Sequence, residues 1–77
     1  MEGLGSGDHG FVKKITVNGQ SRDTSAADIA ALVAELGFAN GMVLVEHNGT
    51  ALRPAEWNGR ALHDEDRIDL LRLAAGG

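Results

Sequence analysis

The chain has 77 residues, enough for one domain built on one hydrophobic core. It contains no cysteine, which excludes disulfides, thiolate nucleophiles and cysteine-based zinc sites. Seven basic against 11 acidic residues give a net charge of −4, which argues against nucleic acid or an anionic membrane as partner and favours a basic protein.

The first ten residues, MEGLGSGDHG, are rich in glycine and contain one isolated leucine. Such a segment buries too little apolar surface to offset the entropy of ordering it. We expect residues 1–10 to be a disordered extension or an expression remnant. They lack the apolar centre of a signal peptide, and no apolar run is long enough to span a bilayer. The expected compartment is the cytoplasm.

A β-hairpin is predicted next. Residues 11–18 are rich in β-branched side chains, and Ile15 and Val17 alternate with polar neighbours as in a strand with one covered face. Asn18-Gly19 is typical of a type I′ turn, in which both residues take positive φ. The returning strand, about residues 20–24, is short and polar, which suits the edge of a sheet.

A helix is predicted after the hairpin. Ser25 followed three residues later by Asp28 resembles a capping box. Gly37 occupies the position of a left-handed C-cap. Four apolar residues between them fall on one helix face, namely Ile29, Leu32, Val33 and Leu36.

The second half predicts three more strands. After an Asn40-Gly41 turn, residues 42–47 form a strand, and Asn48-Gly49 leads to a short strand at 50–52. Residues 54–62 are irregular, a polar corner follows at 64–66, and residues 67–73 form the last strand. The order predicts an α+β fold over residues 11–73, a mixed four- to five-stranded sheet packed on one helix. That is the β-grasp arrangement of ubiquitin.

Past the last strand, residues 74–77 form a tail with no side chain larger than methyl, Ala74-Ala75-Gly76-Gly77. Extended, four residues reach roughly 13 Å, enough to pass through a narrow channel to another protein's active site. Glycine permits the close approach that a Cβ would forbid. A terminal glycine pair alone is weak evidence for a reactive tail, but a pair that directly follows the central strand of a β-grasp fold is strong evidence for one.

The C-terminal third, RPAEWNGRALHDEDRIDLLRLAAGG, resembles the ThiS family of sulfur carriers in thiamin biosynthesis. The shared features are Pro54 and Trp57, an acidic turn ending at Asp66, an apolar strand and the Gly-Gly end. The earlier segments ITVNGQ and VEHNG extend the resemblance over about residues 14–77.

The resemblance implies a cycle on the carboxylate of Gly77. A ThiF-like adenylating enzyme would activate it with ATP, a sulfur donor would convert it to a thiocarboxylate, and a thiazole synthase-like enzyme would accept the sulfur. The chain would then be a carrier and not an enzyme, with no bound cofactor, and monomeric when free. Because it has no cysteine, any sulfur it carries must sit on the C-terminal acyl group or on something added to the chain.

Strand alternation also predicts a partner-binding surface. If Ile15 and Ile68 face the helix, Leu71 and Leu73 point to the other face of the sheet, as Leu44 does on its own strand. One helix covers only one face, so we expect an exposed apolar patch of Leu44, Leu71 and Leu73 beside the tail, and such patches mark interaction sites.

Other candidate groups favour structural roles. The three histidines have no metal-ligand spacing, so no metal site is expected. The acidic run at 64–66 is interpreted as a solvated corner, and Trp57 as a core residue and not a ligand-stacking one. Three alternatives stay open: a carrier for molybdopterin or cysteine synthesis, a ubiquitin-like protein modifier, and a β-grasp binding module with incidental glycines.

Overall fold

Two hairpins form where Asn-Gly pairs predicted them. In the first, β1 (Lys13–Val17) pairs antiparallel with β2 (Gln20–Thr24). In the second, β3 (Val43–His47) pairs antiparallel with β4 (Thr50–Leu52). Asn18 and Gly19 have φ of 50° and 83°, and Asn48 and Gly49 have φ of 51° and 88°, so both turns use the predicted left-handed pair.

The coordinates are those of a computed structural model, which describes residues 12–38 and 42–73. Several predictions therefore lie outside the described residues: the disordered extension at 1–10, Phe11 as the first strand residue, the Asn40-Gly41 turn and the tail at 74–77.

Helix α1 (Ile29–Glu35) begins later than predicted, and the prediction of Ser25 as its cap is wrong. The N-cap is Asp28, whose Oδ1 accepts a hydrogen bond of 2.9 Å from the backbone N–H of Ala31. The helix does not start at Ser25, because the backbone before α1 bonds to a segment distant in sequence: the N–H of Ile29 bonds to the carbonyl of Arg60 at 3.0 Å, and the carbonyl of Ala27 accepts the N–H of Leu62 at 3.0 Å.

The C-terminal end of α1 follows the prediction. Gly37 has φ of 88°, its N–H bonds to the carbonyl of Ala34 at 3.0 Å, and the N–H of Phe38 bonds to the carbonyl of Val33 at 3.2 Å. This pair of bonds is a Schellman motif, which satisfies two carbonyls that the helix would otherwise leave unpaired.

The last strand, β5 (Arg67–Arg72), lies in the centre of the five strands that the described residues form. The sheet order is β2-β1-β5-β3-β4, with β5 parallel to β1 and antiparallel to β3. A short 3₁₀ helix (Pro54–Glu56) lies in the segment predicted to be irregular. The mixed sheet with one helix confirms the predicted β-grasp fold.

The core lies between α1 and one face of the sheet. Ile15 and Ile68 are almost completely buried, as the alternation of β1 and β5 predicted. The predicted helix face is confirmed, because Ile29, Leu32 and Val33 are buried in the same cluster and Leu36 packs against it. Trp57 is only 2% exposed, so it is a core residue. The helix leaves the opposite face of the sheet uncovered.

Candidate functional site

Two leucines stand opposite each other on the face of the sheet that the helix does not cover. Leu44 of β3 and Leu71 of β5 are direct partners in the antiparallel register. They are 50% and 63% exposed, although both sit on strands whose alternate residues are core. The predicted exposure of these residues is therefore confirmed, and we name Leu44 and Leu71 the outer apolar pair.

A second cross-strand pair lies next to it on the same face. Glu46 and Asp69 face each other across β3 and β5, two residues along each strand from the outer apolar pair. A shallow groove on this face is lined by both pairs and by Leu70. We name Glu46 and Asp69 the acidic pair. Like charges directly opposite each other repel, so this arrangement costs the free fold some stability.

The C-terminal end of β5 is tied to its neighbours. The N–H of Leu73 bonds to the carbonyl of Met42 at 3.0 Å, which continues the ladder one residue past the strand. Leu73 is half-buried and so less exposed than the predicted patch required. The guanidinium of Arg72 lies over the ring of Phe38, 5.1 Å from its centre, so its charge is held against an aromatic face.

The predicted reactive end follows directly in the sequence. Ala74, Ala75, Gly76 and Gly77 lie outside the described residues, so their placement stays a prediction. What the structure does give is the point where they begin in the sequence: Ala74 follows Leu73, which comes directly after the central strand, and Leu71 is the third residue before Ala74. Leu71 of the outer apolar pair is thus close in sequence to the start of the tail.

A buried polar cluster fixes the opposite end of β5. Asp66, only 8% exposed, accepts from the side chain of Asn48 at 3.0 Å and from the backbone N–H of His63 at 2.8 Å, and it lies 2.7 Å from Nε2 of His47. Nδ1 of His47 accepts from Nε of Arg60 at 3.0 Å. With Nδ1 accepting, the proton of a neutral imidazole lies on Nε2 and points at Asp66.

This cluster corrects the interpretation of residues 64–66 as a solvated corner. Asp66 points inward, where donors from Asn48, His47 and the backbone of His63 converge on its carboxylate. Burial by itself raises the pKa of Asp66, but the hydrogen bonds from Asn48, His47 and the His63 backbone together outweigh it and hold the pKa below its usual value. Asp64 is exposed and accepts from the backbone N–H of Lys14 at 2.8 Å.

Sequence reasoning missed the pairing of His47 with Asp66. Strand alternation could have predicted it: His47 shares the inward side of β3 with Val43 and Val45, so alternation places a polar side chain in the core. The geometry does not suit catalysis, because both ring nitrogens are occupied and the side chain is 7% exposed. In residues 12–38 and 42–73, no three histidine or acidic side chains form a group that would hold a metal ion. No helix in the described part of the chain is long and apolar enough to cross a membrane.

A mixed sheet that grips one helix, with an uncovered apolar face beside the strand that leads to the C-terminal residues, defines a small β-grasp protein of the ubiquitin type. The model of the ThiS family matches residues 15–77, about four-fifths of the sequence, and the chain belongs to that family. It is accordingly a small sulfur carrier protein.

Solved structures agree with this assignment. The crystal structure of a thiamine biosynthesis protein (ThiS) from Geobacter metallireducens is similar to this chain, with a TM-score of 0.68 and 28% sequence identity. The match covers 83% of this chain and 99% of that one. An NMR structure of a thiamine biosynthesis protein from the same organism matches with the same score and identity and is covered to 87%. No curated protein sequence gives a significant match.

Proposed function

We propose that the chain carries sulfur for thiazole formation in thiamin biosynthesis, as a thiocarboxylate at Gly77. The observation that supports this most is the family match, which runs to residue 77 and so includes the Gly-Gly end. The similar Geobacter structures are of thiamine biosynthesis proteins, which favours thiamin over the molybdopterin and cysteine pathways.

The chemistry needs an activated acyl group. A carboxylate oxygen of Gly77 attacks the α-phosphorus of ATP in a ThiF-like enzyme, and pyrophosphate leaves. Hydrosulfide, HS⁻, supplied by the donor then attacks the acyl carbon, AMP leaves, and loss of the sulfur-bound proton gives the thiocarboxylate. A thiazole synthase-like enzyme finally takes the sulfur. ATP is therefore a substrate of the partner enzyme, and the chain acts as a protein co-substrate.

The described residues support the role of a docked substrate. The outer apolar pair gives the partner a surface to bind, at the end of β5 that leads to Gly77. Leu73 adds a partly exposed apolar side chain between that surface and the small residues Ala74, Ala75 and Gly76. These small residues would enter the partner's channel, where a side chain larger than a methyl group would not fit.

The test is adenylation by the ThiF-like enzyme of the same genome. We expect the chain to support exchange of labelled pyrophosphate into ATP, which reports reversible formation of the acyl-adenylate. One alanine added after Gly77 should abolish the exchange while leaving thermal unfolding unchanged. Exchange that continues with the added residue would contradict a reactive carboxylate at Gly77. Formation of an isopeptide bond to a lysine of another protein would instead identify a protein modifier.

A further inference from the structure

The acidic pair, Glu46 and Asp69, is an unusual feature to find beside an apolar docking surface. The two carboxylates stand directly opposite each other across β3 and β5, and both line the groove that also contains Leu44 and Leu71. Carboxylates on facing residues repel, and leucine or threonine at either position would suit a strand better. The facing of the two carboxylates does not stabilise the free protein.

The charges on this face are only partly balanced. Nε of Arg67 lies 3.3 Å from a carboxylate oxygen of Asp69, one ion pair on the same strand. Within the described residues, Glu46 has no cationic partner. At the other edge of the same face, by contrast, residues of opposite charge face each other, since Lys14 stands opposite Asp23 in the register of β1 and β2. The area beside the outer apolar pair therefore carries one uncompensated negative charge.

A partner that covers the outer apolar pair also takes water away from the acidic pair. Desolvating a carboxylate with no cation to replace its hydration is strongly unfavourable. A partner with a lysine or arginine at that position avoids this cost, and a partner without one is rejected. A second copy of this chain would be rejected too, because it brings a further net charge of −4 and the same carboxylates.

We propose that the acidic pair selects the partner: the enzyme surface that packs on Leu44 and Leu71 presents a lysine or arginine that binds Glu46 and Asp69. The proposal rests on the proposed function, because the partner meant is the adenylating enzyme that acts on Gly77. The docking surface of that enzyme would then be an apolar area with a basic side chain at its edge.

The experiment measures the KM for the carrier in the adenylation reaction, at low and high salt, with the ThiF-like enzyme of the same genome. The double variant E46Q/D69N should raise KM at least about 10-fold with kcat unchanged, and the rise of KM with salt should become shallower. E46K should raise KM further, about 100-fold, since it places like charges together. D23N, which removes an exposed carboxylate from the edge strand of the same face, should leave KM within about 2-fold.

Folding is checked separately by urea unfolding. The double variant removes a repulsion and also the exposed ion pair of Arg67 with Asp69, so its free energy of unfolding should stay within about 1 kcal/mol of the wild type, and a rise in KM cannot then be ascribed to unfolding. An unchanged KM and salt dependence in a folded double variant would overturn the proposal and leave the proposed function standing. Dimers of the double variant with an unchanged KM would also overturn the proposal, because the carboxylates would then only prevent two copies of the chain from associating. A wild-type chain that is neither bound nor adenylated would refute the proposed function, and this proposal with it.

Discussion

Replacing Leu71 with alanine should weaken binding to the adenylating enzyme while leaving the fold intact. Complete burial of a leucine side chain contributes about 1.5–3 kcal/mol. Leu71 is 63% exposed in the free protein, so docking has about two-thirds of that contribution still to gain, about 1–2 kcal/mol. Alanine loses most of it, which corresponds to a rise in KM for the carrier of about 10-fold.

The stability of the same variant should change little. A mostly exposed side chain away from the core typically alters the free energy of unfolding by within about 0.5 kcal/mol. Urea unfolding measures this directly. Leu71→Glu should raise KM further, because docking would then bury a charged carboxylate in the apolar area where the partner packs.

A matched control is available in Val12, which is 54% exposed and precedes β1. Because β1 runs parallel to β5, Val12 lies at the other end of the sheet from Leu71. Val12→Ala should leave KM unchanged. The reasoning fails if Leu71→Ala and Val12→Ala raise KM equally, or if Leu71→Ala loses more than about 2 kcal/mol of stability, since that loss is typical of a core leucine.

Three further predictions concern the fold. Asp66→Ala should destabilise the protein by about 2–4 kcal/mol in urea unfolding, because it leaves the buried ring of His47, the amide of Asn48 and the backbone N–H of His63 without their acceptor. Asp64→Ala should cost below about 1 kcal/mol. The folded pKa of Asp66 is lowered, so ionised Asp66 stabilises the fold above about pH 4, the usual pKa range of an aspartate, and this stabilisation is lost as the pH falls through the lowered value. The free energy of unfolding should therefore fall between about pH 5 and pH 3, and Asp66→Asn should make that fall shallower. Gly37→Ala should lower the free energy of unfolding by about 1 kcal/mol, which is the backbone cost of a Cβ at φ of 88°. No steric cost is added, since the new Cβ would meet no neighbour within 4 Å. A change near zero would argue against the left-handed cap.

Local signals were enough to predict most of the fold. Asn18-Gly19 and Asn48-Gly49 encode their own turns, since few other pairs accept two positive φ values. The spacing of Ile29, Leu32 and Val33 encodes a helix face. The start of α1 was not predictable in the same way. Ser25 and Asp28 both suit an N-cap, and the choice depends on contacts distant in sequence, such as the bond of 3.0 Å from the backbone N–H of Gly59 to Asp28.

The site was predictable where it follows strand alternation and not where it depends on tertiary contacts. Alternation alone placed Leu44 and Leu71 outside. It did not show that they are partners in one register, nor that Glu46 and Asp69 face each other, because pairing between β3 and β5 is set by the whole sheet. The burial of Asp66 was missed for a related reason: its hydrogen-bond donors, Asn48 and His47, come from a different hairpin.

The chemistry at Gly77 is the central claim, and intact mass spectrometry tests it most directly. The chain is incubated with ATP, the ThiF-like enzyme of the same genome and a sulfide source. The account predicts a mass gain equal to the difference between one sulfur and one oxygen atom, located at Gly77 by fragmentation and absent when ATP is omitted. An unchanged mass, under conditions in which the enzyme binds the chain and exchanges pyrophosphate, would contradict the account.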